Sequence, residues 1–126
     1  MCDLNAMTRH YGPATWFLTF SPSEWMDTEL LLYLRKINNH INTSKMNVKQ
    51  FTAMDPVFTA IFMEIKFKGV LAFTLSSDNP IGKVKHYFWR REYQQRGMVH
   101  FHLMVWIENA PFLGQASDLE VAKFIQ

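Results

Sequence analysis

Two histidines, His100 and His102, flank a single aromatic residue in the run VHFHLMVWI, and their spacing is the strongest chemical signal in the sequence. The run is apolar and rich in strand-forming residues, which predicts a β-strand. Side chains alternate faces along a strand, so both imidazoles should lie on one face, with their backbones roughly 7 Å apart. Phe101, Leu103 and Val105 would then face the core and hold the imidazoles rigidly. Two imidazoles on one rigid strand form half of a metal site.

A β-hairpin is predicted immediately before this strand. Residues 87–93 are rich in aromatic side chains, and residues 95–97 (QRG) have turn character, with glycine where a left-handed backbone is favoured. These signals predict a three-residue loop with a glycine bulge, which pairs Tyr93 with Val99. A two-residue loop would shift the register by one and turn every side chain to the other face, so that Glu92 would be buried.

Glu92 is the predicted third metal ligand. In the favoured register it stands opposite His100, while Arg90 stands opposite His102; Gln94 also faces that side and is the weaker substitute ligand. Two neutral imidazoles and a carboxylate, with positions left for water and phosphate oxygens, suit Mg²⁺ or Mn²⁺ and would also accept Zn²⁺. A His-x-His pair on a strand is also often no more than a polar, solvent-facing pair.

The segment around the histidines resembles the signature of Helitron transposases. Residues 91–106 read REYQQRGMVHFHLMVW, similar to the family's run of Glu, aromatic, Gln, x, Arg, Gly, x, x, His, x, His and a hydrophobic residue. Residues 16–21 (WFLTFS) resemble the family's first strand, and residues 4–7 and 12–13 lie where its lead-in would be. The resemblance spans roughly residues 3 to 125. It is to the Rep-like endonuclease domain of the HUH class (His-hydrophobic-His), also called the Helitron helicase-like N-terminal domain.

The resemblance implies a metal-dependent enzyme acting on single-stranded DNA in rolling-circle transposition. HUH nucleases cut the strand by attack of a tyrosine on the phosphodiester, which leaves a 5′-phosphotyrosine and a free 3′-hydroxyl; the metal polarises and orients the phosphate. In the family that tyrosine follows the histidine motif, whereas Tyr11, Tyr33, Tyr87 and Tyr93 all precede it. Residues 1–126 are therefore expected to form a single partial domain without the nucleophile, inactive by itself. A helicase domain in a full-length relative and a nuclear location are further implications.

Contacts to DNA are predicted around the hairpin. Arg90, Arg91 and Arg96 would neutralise phosphates, and an exposed Trp106 would stack on a base. No membrane and no small-molecule substrate are expected as partners. Two alternatives stay open: a non-catalytic remnant that binds single-stranded DNA, and a plain α+β interaction module whose histidines hold a structural metal or none.

Length and composition predict one domain. The chain has 126 residues, 48% of them hydrophobic, which is enough for one core. A net charge of +2 permits nucleic-acid binding without indicating it. The single cysteine excludes an internal disulfide and fits a reducing compartment. No apolar run approaches the roughly 20 residues that cross a bilayer, and the start is not a signal peptide.

The predicted fold class is α+β, an antiparallel sheet with helices packed against it. Strands are predicted at 15–20, 83–93 and 98–107 and a capped helix at 117–125, and residues 42–44 are predicted to form a loop. A first helix is predicted from an N-cap at Ser21, followed by Pro22 and Glu24, to about Ile37.

A second helix is predicted to start at Asp55-Pro56 and to end at Gly69. Its apolar stripe is predicted to pack on the sheet; the members are Val57, Phe58, Ile61, Phe62 and Ile65. Residues 70–75 fit either a short strand or a continuation of this helix.

Overall fold

The computed structural model describes residues 4–21, 27–93, 99–112 and 114–126. The predicted α+β class is confirmed: five helices accompany a three-stranded antiparallel sheet with strand order β1-β3-β2 in these residues. The elements in chain order are α1 (Leu4–Tyr11), β1 (Trp16–Phe20), α2 (Thr28–Ile37), α3 (Val48–Met54), α4 (Pro56–Leu75), β2 (Val84–Tyr93), β3 (Val99–Ile107) and α5 (Asp118–Ile125).

The central strand β3 divides the sheet into two chemically different faces. Its odd-numbered side chains, from Val99 to Ile107, are buried and meet the helices, so we call this side the helical face. Its even-numbered side chains, His100, His102, Met104 and Trp106, lie on the opposite side, which we call the open face. This period of two is the one that the sequence predicted.

The predicted hairpin register is confirmed. Glu92 pairs with His100, Arg90 with His102, and Tyr93 with Val99. The loop that was predicted to set this register, with Gln94 and Arg96, lies outside the described residues.

Helix α4 corrects two predictions. It runs through Gly69 to Leu75, so the glycine does not end it. Residues 70–75 therefore continue the helix and do not form a strand. The predicted stripe is largely solvent-facing: Ile65 is 60% exposed, whereas Phe67 is 1% exposed. The helix is apolar nearly all round, so hydrophobicity alone does not select its buried face; packing against the sheet selects Met63 and Phe67 instead. This packing outweighs the cost of about 1 kcal/mol for a mid-helix glycine.

The helices before α4 also differ from the prediction. The described α2 begins at Thr28, and Asp27 caps it by accepting from the Leu30 amide at 3.0 Å. The N-cap predicted at Ser21 would begin a helix at Pro22 and Glu24, which lie outside the described residues; the Ser21 hydroxyl contacts His100. Helix α3 was not predicted, although Asn47 and Gln50 form a capping box at its start.

The core is centred on an aromatic cluster beneath the histidine strand. The rings of Phe67 and Phe101 stack with centroids 4.3 Å apart, and Trp89 packs beside them at 5.1 Å from Phe67. Leu30 and Leu34 of α2 and Phe51 of α3 complete the same buried cluster. Phe101 lies between the two histidines in sequence, so this cluster fixes the backbone that carries them. None of the described helices is long and apolar enough to cross a membrane.

Candidate metal centre

The open face brings together the three predicted ligands. His100 and His102 project from β3, and Glu92 projects from β2 beside them. Oε2 of Glu92 lies 2.9 Å from Nε2 of His102, reaching diagonally past its own register partner His100. Both histidines are half-buried, and the Glu92 side chain is exposed.

Two of the three donors stand at a separation that suits a shared ion. Ligands bound at right angles to a metal about 2.1 Å away lie about 3 Å from each other, which is close to the spacing of Glu92 and His102. The third donor does not converge on the same point: no group of three His, Cys, Asp or Glu side chains within the described ranges is arranged to hold a metal. The donor chemistry therefore suits a divalent cation, but the side chain of His100 would have to turn before all three donors could reach one ion.

Hydroxyl groups from β1 orient both imidazoles. Oγ1 of Thr19 lies 3.2 Å from Nδ1 of His102, and Oγ of Ser21 lies 3.0 Å from Nδ1 of His100. The two contacts are equivalent because Thr19 is in register with His102, and Ser21 and His100 each lie two residues further along the antiparallel strands. Both rings are thus held at Nδ1, and Nε2 is the nitrogen that β1 does not contact; on His102 it contacts Glu92.

The hydrogen bonds of His102 select one tautomer of the neutral ring. A carboxylate only accepts, so the neutral ring donates from Nε2 to Glu92 and accepts at Nδ1 from the Thr19 hydroxyl. A metal at Nε2 would displace that proton, and Nδ1 would then donate to Thr19. The hydroxyl can serve both states because it is donor and acceptor alike.

Removing the Thr19 hydroxyl is expected to weaken metal binding. Partners that orient a ligand typically contribute 10- to 100-fold in metal affinity, so Thr19→Val should bind Mn²⁺ about tenfold more weakly. Calorimetric titration measures this, with Thr19→Ser as the matched control that keeps the hydroxyl. Equal affinity of the valine and serine variants would show that Thr19 does not position His102.

The structure separates the predicted arginines. Arg90 is exposed on the open face beside His102. Arg91 faces the other way, and its guanidinium donates to Glu64 of α4 at 3.0 Å. Lys68 and Arg91 together hold the pKa of Glu64 below its usual range. The two arginines therefore do not form one cluster, and Arg96 lies outside the described residues.

Trp106 is on the predicted face, but the exposure expected of it is wrong. It is 5% exposed, because the segment after α1 covers it and its indole N–H donates to the Gly12 carbonyl at 3.0 Å. The buried ring cannot serve as an open stacking platform. Phe17, which was not singled out from the sequence, is 58% exposed on this face and stacks on His102 with ring centroids 5.5 Å apart. The alternation of side chains along β1 could have identified Phe17, because it puts Phe17 on the same side of the strand as Thr19.

Comparison with known proteins identifies the family of the chain. Residues 1–105 match the family described as "Helitron helicase-like domain at N-terminus". A search of curated proteins and a search of solved structures gave no match. The match covers β1, most of β3 and both histidines, so the chain belongs to the Helitron helicase-like N-terminal domain family.

Proposed function

We propose that this domain binds a divalent cation through His100, His102 and Glu92 and holds single-stranded DNA across its open face. Its role would be nicking and strand transfer through a tyrosine outside residues 1–126. The observation that supports this most is the pair of imidazoles held at Nδ1 by strand hydroxyls, with a carboxylate 2.9 Å from one Nε2.

The side chains around the ligands suit a nucleic-acid strand. Arg90 offers a fixed cation beside His102 for a phosphate, and Phe17 offers an exposed ring on which a base can stack. Mg²⁺ or Mn²⁺ matches the oxygen and imidazole donors, and when bound it would supply Lewis-acid polarisation of the phosphate. In a full-length relative we expect a helicase domain on the same polypeptide and a nuclear location.

The two neighbouring arginines provide a test of the DNA-binding face. Arg90→Ala should weaken binding of a fluorescent single-stranded oligonucleotide, measured by anisotropy, and should lower the salt-dependence slope by about 0.7, the value for one phosphate contact on a single strand. Arg91→Ala is the matched control, because it removes the same charge from the helical face. Glu64 keeps Lys68 as a partner in that variant, so the fold should tolerate it.

Equal losses in the two variants would mean that only net charge matters and that no strand follows the open face. A larger loss in Arg91→Ala would put the strand on the opposite side of the sheet.

A further inference from the structure

A cavity of about 600 Å³ lies at the far end of the sheet from the metal ligands. Its wall on the open face is formed by Tyr11, His86 and Trp106; the rings of Tyr11 and His86 stack with centroids 3.7 Å apart. From the helical face, Trp16 of β1 and Phe124 of α5 contribute a second stacked pair. The cavity is therefore lined by aromatic rings from both sides of the sheet end.

A β-bulge brings the basic residues of β2 to this cavity. Val84 pairs with Ile107 and His86 with Trp106, so two steps along β2 match one step along β3 and Lys85 is the extra residue. Without the bulge, His86 would share the helical face with Val84. With it, His86 turns to the open face, and Lys85 also lines the cavity.

The aromatic rings of the cavity suit a planar ligand, and its basic side chains suit one that carries hydrogen-bond acceptors and negative charge. His10, Lys85 and His86 line it, and no acidic side chain does so among the residues that the structure describes. The ring of Trp16 also lines the cavity, and its indole N–H is buried without a hydrogen-bond partner in the described part of the chain.

We propose that this cavity holds one nucleotide of a single DNA strand, with the base against the aromatic rings and its phosphate near Lys85 and His86. Aromatic side chains bind bases of any sequence by stacking, and nearby cations bind the backbone. A planar base matches the aromatic lining, and a phosphate matches the ammonium group of Lys85.

The cavity and the metal ligands lie along one strand. His102 and Trp106 are four residues apart on β3, about 13 Å, with Phe17 in register with Met104 midway. A single DNA strand with one phosphate at the histidines would pass over Phe17 and place a nearby base in the cavity. In this respect the assignment rests on the proposed function, because the proposed metal ligands fix the position of the DNA phosphate from which the distance to the cavity is counted.

The first test uses single nucleotides, so that it does not depend on the metal. In EDTA, the four deoxynucleoside monophosphates are titrated into the ¹⁵N-labelled chain while the indole N–H signals of Trp16 and Trp106 are followed. At least one nucleotide should shift both signals saturably, and ribose 5-phosphate, which lacks a base, should not. Lys85→Glu should weaken this binding about tenfold. Lys123→Glu, an exposed charge reversal on α5 that does not line the cavity, should leave it unchanged.

Unmoved indole signals with all four nucleotides would overturn the assignment, as would equal affinity of the two lysine variants. The variant His100→Ala/His102→Ala should keep the nucleotide shifts. Mn²⁺ binding is measured in a separate titration without EDTA. If the wild-type chain does not bind Mn²⁺ there but does bind the nucleotide, the proposed metal function is rejected and the cavity assignment stands.

A second arm distinguishes a DNA base from a free nucleotide. A single abasic site is moved along a bound oligonucleotide, and the affinity is measured at each position. Loss of the base that occupies the cavity should weaken binding about fivefold or more at one position, and His86→Ala should remove that dependence. Equal affinity at every position would assign the cavity to a free nucleotide and overturn its assignment to DNA.

Discussion

Replacing both histidines, as His100→Ala/His102→Ala, is expected to abolish Mn²⁺ binding while the domain stays folded. The wild-type chain should show saturable one-site binding by calorimetry, and the double variant should bind at least about 100-fold more weakly, because two of three donors are lost and a single orienting partner already contributes up to that factor. Both side chains lie on the open face outside the core, so little stability is at risk.

His40→Ala is the matched control, since His40 is exposed and lies outside the site. It should bind Mn²⁺ as the wild type does, and circular dichroism should be unchanged in both variants. Equal Mn²⁺ affinity in the wild type and the double variant would remove the metal from the proposed function. The histidines would then be polar strand residues oriented by Thr19 and Ser21.

Truncating Phe67 is expected to have the largest effect on stability. Phe67→Ala should lower the free energy of unfolding by about 3–5 kcal/mol, the usual range for a buried phenylalanine. Its ring stacks on Phe101 at 4.3 Å and contacts Trp89, so the cavity would open directly beneath the histidine strand. Small domains are stable by only about 5–15 kcal/mol, so this loss is a large fraction of the total. Urea denaturation measures it.

Ile65→Ala on the same helix is the control, and it should change stability by no more than about 0.5 kcal/mol because Ile65 faces solvent. The contrast tests the orientation of α4. If Ile65→Ala were the more damaging change, the helix would present the stripe that the sequence favoured, and the packing of Phe67 on Phe101 would be wrong.

The sequence alone was sufficient for the histidine strand and its partner. The alternation of β3 determines that the odd-numbered side chains from Val99 to Ile107 face the helices, and this holds for any arrangement of the surrounding helices because it is a local property of the strand. The register of Glu92 with His100 followed from the same constraint, since a shift by one residue would bury a charge. The family also followed from the sequence, because the contiguous run 91–106 resembles the family's signature, and the match over residues 1–105 confirms the family.

Tertiary structure decided the contacts that the local sequence pattern leaves open, such as which face of a helix is buried and which distant segments meet. Helix α4 is apolar around most of its circumference, so only its contact with Phe101 and Trp89 identifies Phe67 as the buried residue. The hydroxyls of Thr19 and Ser21 meet the imidazoles from about 80 residues away along the chain, through a strand pairing that no local signal specifies. The bulge at Lys85 and the burial of Trp106 under the segment after α1 have the same origin, because each depends on which surfaces meet once the chain has folded.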